Sequence, residues 1–156
     1  MIYLYDYVGQ PWKTQSRVRQ VMNLLYQPTA DGLCGDEDTG QMSSWYVFSA
    51  LGFYPVCPGD TNYVVGSPLF DRATLAFGTG KQFTVTARDN GPQRPYILAA
   101  TINGTAFDRT FLSHDQIVRG GELVFEMTSA PDYHWAVGVE SRPPATMPGL
   151  GEAGTR

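Results

Sequence analysis

The sequence predicts an α+β chain, with helices first and an antiparallel β-sheet or small sandwich after them. Three observations carry this. Val18, Val21, Met22 and Leu25 recur at helical spacing in the first third. Short runs of alternating apolar and polar residues, divided by turn signals, fill the stretch after Pro58-Gly59-Asp60. The change between the two patterns falls near Pro55.

The first helix is expected over Pro11–Tyr26. Pro11 suits a first turn, where its missing N–H is not needed, and Pro28 ends the run. A glycine- and acid-rich loop follows, and a second helix runs from Gln41 to Leu51. Its face is Met42, Trp45, Tyr46 and Ser49, and Gly52 is the C-terminal stop. Strands are expected at Thr74–Phe77, Phe83–Ala87, Tyr96–Ile102, Glu122–Met127 and Trp135–Val139. Asn103-Gly104 between Ile102 and Thr105 marks a tight hairpin. The tail Ser141–Arg156, rich in Pro, Gly and Ala, is expected to be disordered. Segments 1–54, 55–140 and 141–156 therefore read as a helical part, a β module and a tail. Two helices are too few for a bundle, and aromatic residues crowd the first third. The helical part reads as the end of a larger helical domain.

A formal net charge of −4 and a pI near 5.0 argue against nucleic acid and against an anionic membrane surface as partners. No apolar run approaches the ~18 residues of a membrane span. Met1–Asp6 has no basic region and no cleavage site of a signal peptide, so the protein is cytoplasmic or begins upstream. Cys34 and Cys57 read as two free thiols, and with two distant histidines they make no zinc pattern.

The stretch that carries chemistry is Gly32-Leu33-Cys34-Gly35-Asp36-Glu37-Asp38-Thr39-Gly40, just before the second helix. Repulsion among three neighbouring carboxylates opposes their ionisation, whereas the helix N-terminus favours it. An ionised carboxylate there can polarise a water as general base or hold a hard cation such as Ca²⁺. The plainer alternative is that Asp38 or Thr39 caps the helix. Asp38-Thr39-Gly40 matches the aspartic-protease triplet, but acidic residues precede it instead of an apolar strand. Asp36-x-Asp38-x-Gly40 opens like an EF-hand, yet Gln41 stands where Gly is needed and Val47 where the bidentate Glu belongs.

Longer blocks are more specific. Tyr3-Leu4-Tyr5-Asp6-Tyr7-Val8-Gly9-Gln10-Pro11-Trp12-Lys13-Thr14-Gln15 resembles glycoside hydrolase family 92. So do Gly32–Met42, continuing through Ser43-Ser44-Trp45-Tyr46 to Gly59, the later Tyr63–Phe70, and Ile102-Asn103-Gly104 with Leu112-Ser113-His114. The resemblance covers about Ile2–Val137. It implies an inverting exo-α-mannosidase, of the α-1,2 type, that removes terminal mannose from glycans and uses bound Ca²⁺. It also implies a catalytic domain built as an (α/α) toroid, incomplete here, and a secreted, periplasmic or cell-surface location. Carried over by position, Asp36 and Asp38 are the general base residues. By their own chemistry Gln10, Trp12, Lys13 and Gln15 are candidates for substrate contact, since a Trp face can stack on a sugar ring and amides and amines bond hydroxyls. The general-acid Glu and an Asn-Glu calcium motif lie upstream of the Tyr3–Tyr7 block in the family. The chain is therefore expected to be a C-terminal fragment that needs the N-terminal part of the enzyme and is inactive alone.

Weaker candidates remain. Trp12 is more readily a packing residue than a sugar platform. His114 beside Asp115 imitates a dyad but lies in the β region, and Asn103-Gly104-Thr105 is formally a glycosylation sequon. The competing function is a non-catalytic β-sandwich, packing on or binding carbohydrate for a different toroidal glycosidase. Its aromatics are too scattered to make a sugar-binding face.

Overall fold

The computed structural model describes residues 2–144, apart from residue 79. Most of the expected tail, from residue 145 on, lies outside the described residues. Three helices come first: α1 (Leu4–Tyr7), α2 (Pro11–Leu25) and α3 (Gln41–Leu51). Pro11 opens α2 as anticipated. Gly40 and Gly52, both at positive φ, bracket α3, and the Gly52 N–H closes onto the carbonyls of Phe48 and Ser49.

The buried face of α2 is rotated from the expected stripe. Val18 and Met22 are buried, but Leu25 is exposed, and Thr14, Gln15 and Arg19 take the remaining buried positions. Polar side chains are stable there because they are bonded. Gln15 Oε1 accepts the Ile97 N–H at 3.2 Å. Arg19 donates through Nε to Ser67 Oγ at 3.0 Å and through Nη2 to the Pro68 carbonyl and Asn90 Oδ1. Burial pulls the Arg19 guanidinium down to about 10, against the opposing field of Asp71, so it stays charged at neutral pH.

The β part has two sheets. The first is antiparallel, β1 (Phe53–Tyr54), β2 (Asn62–Val65) and β7 (Phe111–Ser113), in that spatial order. The second is ordered β3 (Arg72–Ala76), β4 (Gln82–Arg88), β8 (Gly121–Thr128), β5 (Tyr96–Ile102) and β6 (Thr105–Ala106). A short helix, α4 (His114–Val118), joins β7 to β8 and is capped by Ser113 with Gln116 in a reciprocal box. β5 and β6 turn at Asn103-Gly104, both at positive φ, as that pair demands.

Two features depart from the sequence reading. The β4–β8 pair is parallel, because β8 inserts between the two strands that the Asp89–Pro92 turn joins. Trp135–Val139 is no strand. Asp132 Oδ1 accepts the N–H groups of His134 and Trp135, and Asp108 Oδ1 accepts that of Ala136, whose φ is 53°. Side chains take the donors that a ladder would use. Ser141 also belongs to the ordered structure. It is buried in a 3₁₀ turn (Val139–Ser141), and its carbonyl accepts from the Thr110 hydroxyl.

One core lies among residues of both sheets, with Phe53, Phe83, Leu112 and Phe125 among its fully buried members. A second joins Tyr3, Val18, Met22 and Ala50 of the helical part to Val64. Strand β2 is the shared wall: Val65 faces the first core and Val64 the second. This wall fixes the acidic loop, which enters α3, relative to the β module.

Candidate active site

The loop between α2 and α3 is anchored at both ends. Tyr26, just past α2, stacks on Trp45 at 5.5 Å and lies 4.9 Å from the Tyr46 ring. Its hydroxyl donates to the Met42 carbonyl, and burial, with the charges of nearby groups, pushes its pKa up to about 12. The Gln27 N–H donates to the Gly32 carbonyl at 2.9 Å, closing a small ring in the chain. A side chain at Gly32 would strike the Gln27 carbonyl.

At the other end the loop itself caps α3. The Gln41 N–H donates to the Asp38 carbonyl, and the Met42 N–H to the Glu37 carbonyl, both at 3.2 Å. The Ser43 N–H donates to Glu37 Oε1 at 3.3 Å. The three N-terminal donors of α3 are thus satisfied by Glu37 and Asp38, two of them by Glu37 alone. Neither Asp38 nor Thr39 caps with its side chain. Asp38, Thr39 and Gly40 run consecutively through the left-handed region, at φ 50°, 58° and 89°. A β-branched threonine there is an outlier, and such conformations cost about 1–3 kcal/mol each and gather at functional sites. The carboxylates of Asp36 and Asp38 are exposed and, among the described residues, make no side-chain hydrogen bond or ion pair. Glu37 is half-buried, and its second oxygen, Oε2, is enclosed without a partner.

An open pocket of about 310 Å³ lies at the start of α3, lined by Tyr3, Leu4, Gln41, Trp45, Tyr54 and Val56. Gln41 follows the strained run directly, and its Nε2 donates to the Tyr54 hydroxyl at 3.4 Å. Aromatic rings, an amide and a phenol are groups suited to a sugar. Sequence reading missed Gln41, Trp45 and Tyr54. Trp45 and Tyr54 stood out only as part of an aromatic crowd, with no signal separating pocket from packing.

Trp12 and Lys13 sit together in the first turn of α2, ~20 Å along the helix axis from its last residue, at 1.5 Å per residue. They line a second pocket of about 420 Å³ with Tyr5, Arg17, Tyr96 and Tyr133. Trp12 meets Tyr133 edge-on at 5.0 Å, and Lys13 Nζ lies 5.6 Å from the centre of the Tyr5 ring. Gln10 precedes α2, partly buried, and does not cap it. His114 Nδ1 pairs with the Tyr63 hydroxyl at 3.1 Å, with Asp115 pointing to Arg119 instead. Cys34 and Cys57 are both free. Among the described residues no three His, Cys, Asp or Glu side chains converge on one point.

The chain belongs to glycosyl hydrolase family 92, whose catalytic-domain model matches residues 1–129. It is 54% identical to a family GH92 inverting mannosidase from Bacteroides thetaiotaomicron VPI-5482, with a TM-score of 0.86 over 91% of this chain and 19% of that one. A family GH92 alpha-mannosidase from Bacteroides thetaiotaomicron is 39% identical, with a TM-score of 0.88 over 92% of this chain and 19% of its own. A protein of Arthroderma benhamiae described as an uncharacterized secreted glycosidase is 29% identical over 99% of this chain and 20% of its length. The chain thus spans about a fifth of the relatives it matches. Among the described residues no helix is long and apolar enough to cross a membrane.

Proposed function

We propose that this chain is the C-terminal portion of an inverting exo-α-mannosidase and that its 36–38 loop supplies the general base. The observation that carries the reading is the release of Asp36 and Asp38 from capping. Glu37 and backbone carbonyls satisfy α3, so both aspartates are left exposed on the loop that leads into Gln41, a lining residue of the Trp45–Tyr54 pocket. In an inverting hydrolysis the base takes a proton from water as its oxygen attacks the anomeric carbon. A carboxylic acid about 6.5–9.5 Å away protonates the departing oxygen. That acid belongs to the part of the enzyme upstream of Ile2. So do the remaining ligands of Ca²⁺, which would supply positive charge near the sugar hydroxyls.

Exposed apolar side chains on the helical part support an upstream partner. Leu4 is 47% exposed, Val8 57%, Leu24 63% and Val47 56%. Residues 1–54 would complete the toroid, and residues 55–140 would be the β module behind it. The α-1,2 preference follows from the family resemblance alone. Gln10, Trp12 and Lys13, at the start of α2, would touch the mannose-containing glycan. Secretion is in line with the description of the Arthroderma relative.

The experiment measures mannose release from α-1,2-, α-1,3- and α-1,6-mannobiose. The 156-residue chain alone should release none. In the complete enzyme, Asp36→Asn or Asp38→Asn should lower kcat by at least ~10²-fold, the scale of a general base. Near-full activity in both variants sinks the base assignment, and turnover by the chain alone sinks the need for an upstream acid.

A further inference from the structure

We propose that Glu37 is a positioning residue for the two aspartates that flank it. It acts through the loop backbone, without contact to substrate, and the proposal rests on the reading of Asp36 and Asp38 as the base. The geometry is specific. Glu37 grips α3 twice, by its carbonyl on the Met42 N–H and by Oε1 on the Ser43 N–H. These bonds reach across the three left-handed residues Asp38, Thr39 and Gly40, so they close a short ring around the strained run. A segment held in a sparsely populated conformation relaxes unless its surroundings over-determine it. The two bonds made by Glu37, the Gln41–Asp38 bond and the Ser44 N–H to Gly40 carbonyl bond at 2.9 Å tie that run to the helix, and of these only the Glu37 Oε1 bond is made by a side chain.

The division of labour follows from position. A carboxylate at 36 or 38 that capped α3 would be engaged by the helix and no longer free. Glu37, with one more methylene, reaches Ser43 while its neighbours on both sides stay exposed. The side chain needs an acceptor oxygen, not a charge, for this task. Glutamine retains that oxygen, whereas alanine removes it.

The test uses the complete enzyme with Glu37→Ala, Glu37→Gln, Asp36→Asn and Asp38→Asn, assayed well below each melting temperature. Glu37→Ala should lower kcat at least about tenfold with KM within about threefold of the parent. Glu37→Gln should keep at least half the parental kcat. Hydrogen exchange of the 38–44 segment should quicken in the alanine variant and not in the glutamine variant. If Glu37→Ala keeps parental kcat, or if its 38–44 segment exchanges as in the parent, the positioning role is overturned. Equal damage in the alanine and glutamine variants also overturns it, since charge would then be what matters. Should Glu37→Ala fail to fold, the glutamine variant's kcat and exchange decide alone. Full activity in both aspartate variants would overturn the base reading itself. Loss there with a fully active Glu37→Ala would overturn only the role given to Glu37.

Discussion

Replacing Asp6 by asparagine should abolish a pH dependence of stability that this one carboxyl imposes. Asp6 in α1 is 1% exposed, and neither carboxyl oxygen has a hydrogen-bond partner. Burial raises its pKa well above the usual range. The nearby Thr14 hydroxyl opposes this, but its own hydrogen bond goes to the Ile2 carbonyl at 3.3 Å. The other titratable neighbours, Tyr3 and Tyr7, are themselves shifted upward and stay neutral in acid. In the unfolded chain Asp6 ionises near 3.9, whereas in the folded chain it holds its proton to higher pH. Its contribution to stability is full below about pH 3.9 and is lost as pH rises through the folded pKa. Inside that window each pH unit removes about 1.4 kcal/mol. With a urea m-value of roughly 2 kcal/mol/M, this shifts the midpoint by about 0.7 M per unit. The assay is urea unfolding of both proteins in half-unit steps from pH 4.5 upward. The difference between parent and Asp6→Asn should fall along that slope and level off at the folded pKa, while other carboxylates cancel. A difference that is flat with pH, or that grows in favour of the parent, refutes the argument.

Two further outcomes follow from packing. Arg19→Met strips the donors from Ser67, the Pro68 carbonyl and Asn90. It should cost about 3–5 kcal/mol in the same unfolding assay, the scale for breaking a buried charged network; under 1 kcal/mol would mean water replaces those bonds. Gly52→Ala puts a Cβ 3.1 Å from the Pro68 side chain at φ +102°. It should destabilise by about 1–3 kcal/mol, and an unchanged melting temperature would show that the α3–β1 corner relaxes freely.

Local signals were the readable ones. Gly40, Gly52 and Pro11 punctuate α2 and α3 by their own backbone chemistry, and Asn103-Gly104 specifies its turn without help from the rest of the chain. The acidic loop was visible as a functional stretch because three carboxylates in a row are hard to explain by packing. Its internal arrangement was not visible. That Glu37 caps α3, and not Asp38 or Thr39, depends on three left-handed residues that propensity disfavours. Trp135–Val139 has a strand's composition, yet Asp108, 28 residues away, takes the Ala136 N–H. The face of α2 was misjudged for the same reason. Gln15 and Arg19 look like solvent residues until Ile97, Ser67 and Asn90 arrive from distant segments to pair with them. Trp12 and Lys13 could be named as candidates from the sequence, but the pocket they share depends on Tyr96 and Tyr133, which arrive from distant segments.

The position of β8 has a consequence for synthesis. Among the described residues it is the last strand made, yet it sits at the centre of the five-stranded sheet, between β4 and β5. Until it emerges, β4 has only β3 beside it, and the buried side chains Phe83 and Val85 lack Leu123 and Phe125 across the ladder. About forty residues separate the ends of the two strands. At ~5–20 residues per second, a ribosome leaves that edge open for roughly 2–8 s. An unpaired, apolar edge is a template for other chains. The nascent chain is therefore most exposed to mispairing during those seconds, and any chain that ends before Gly121 would stay in that state.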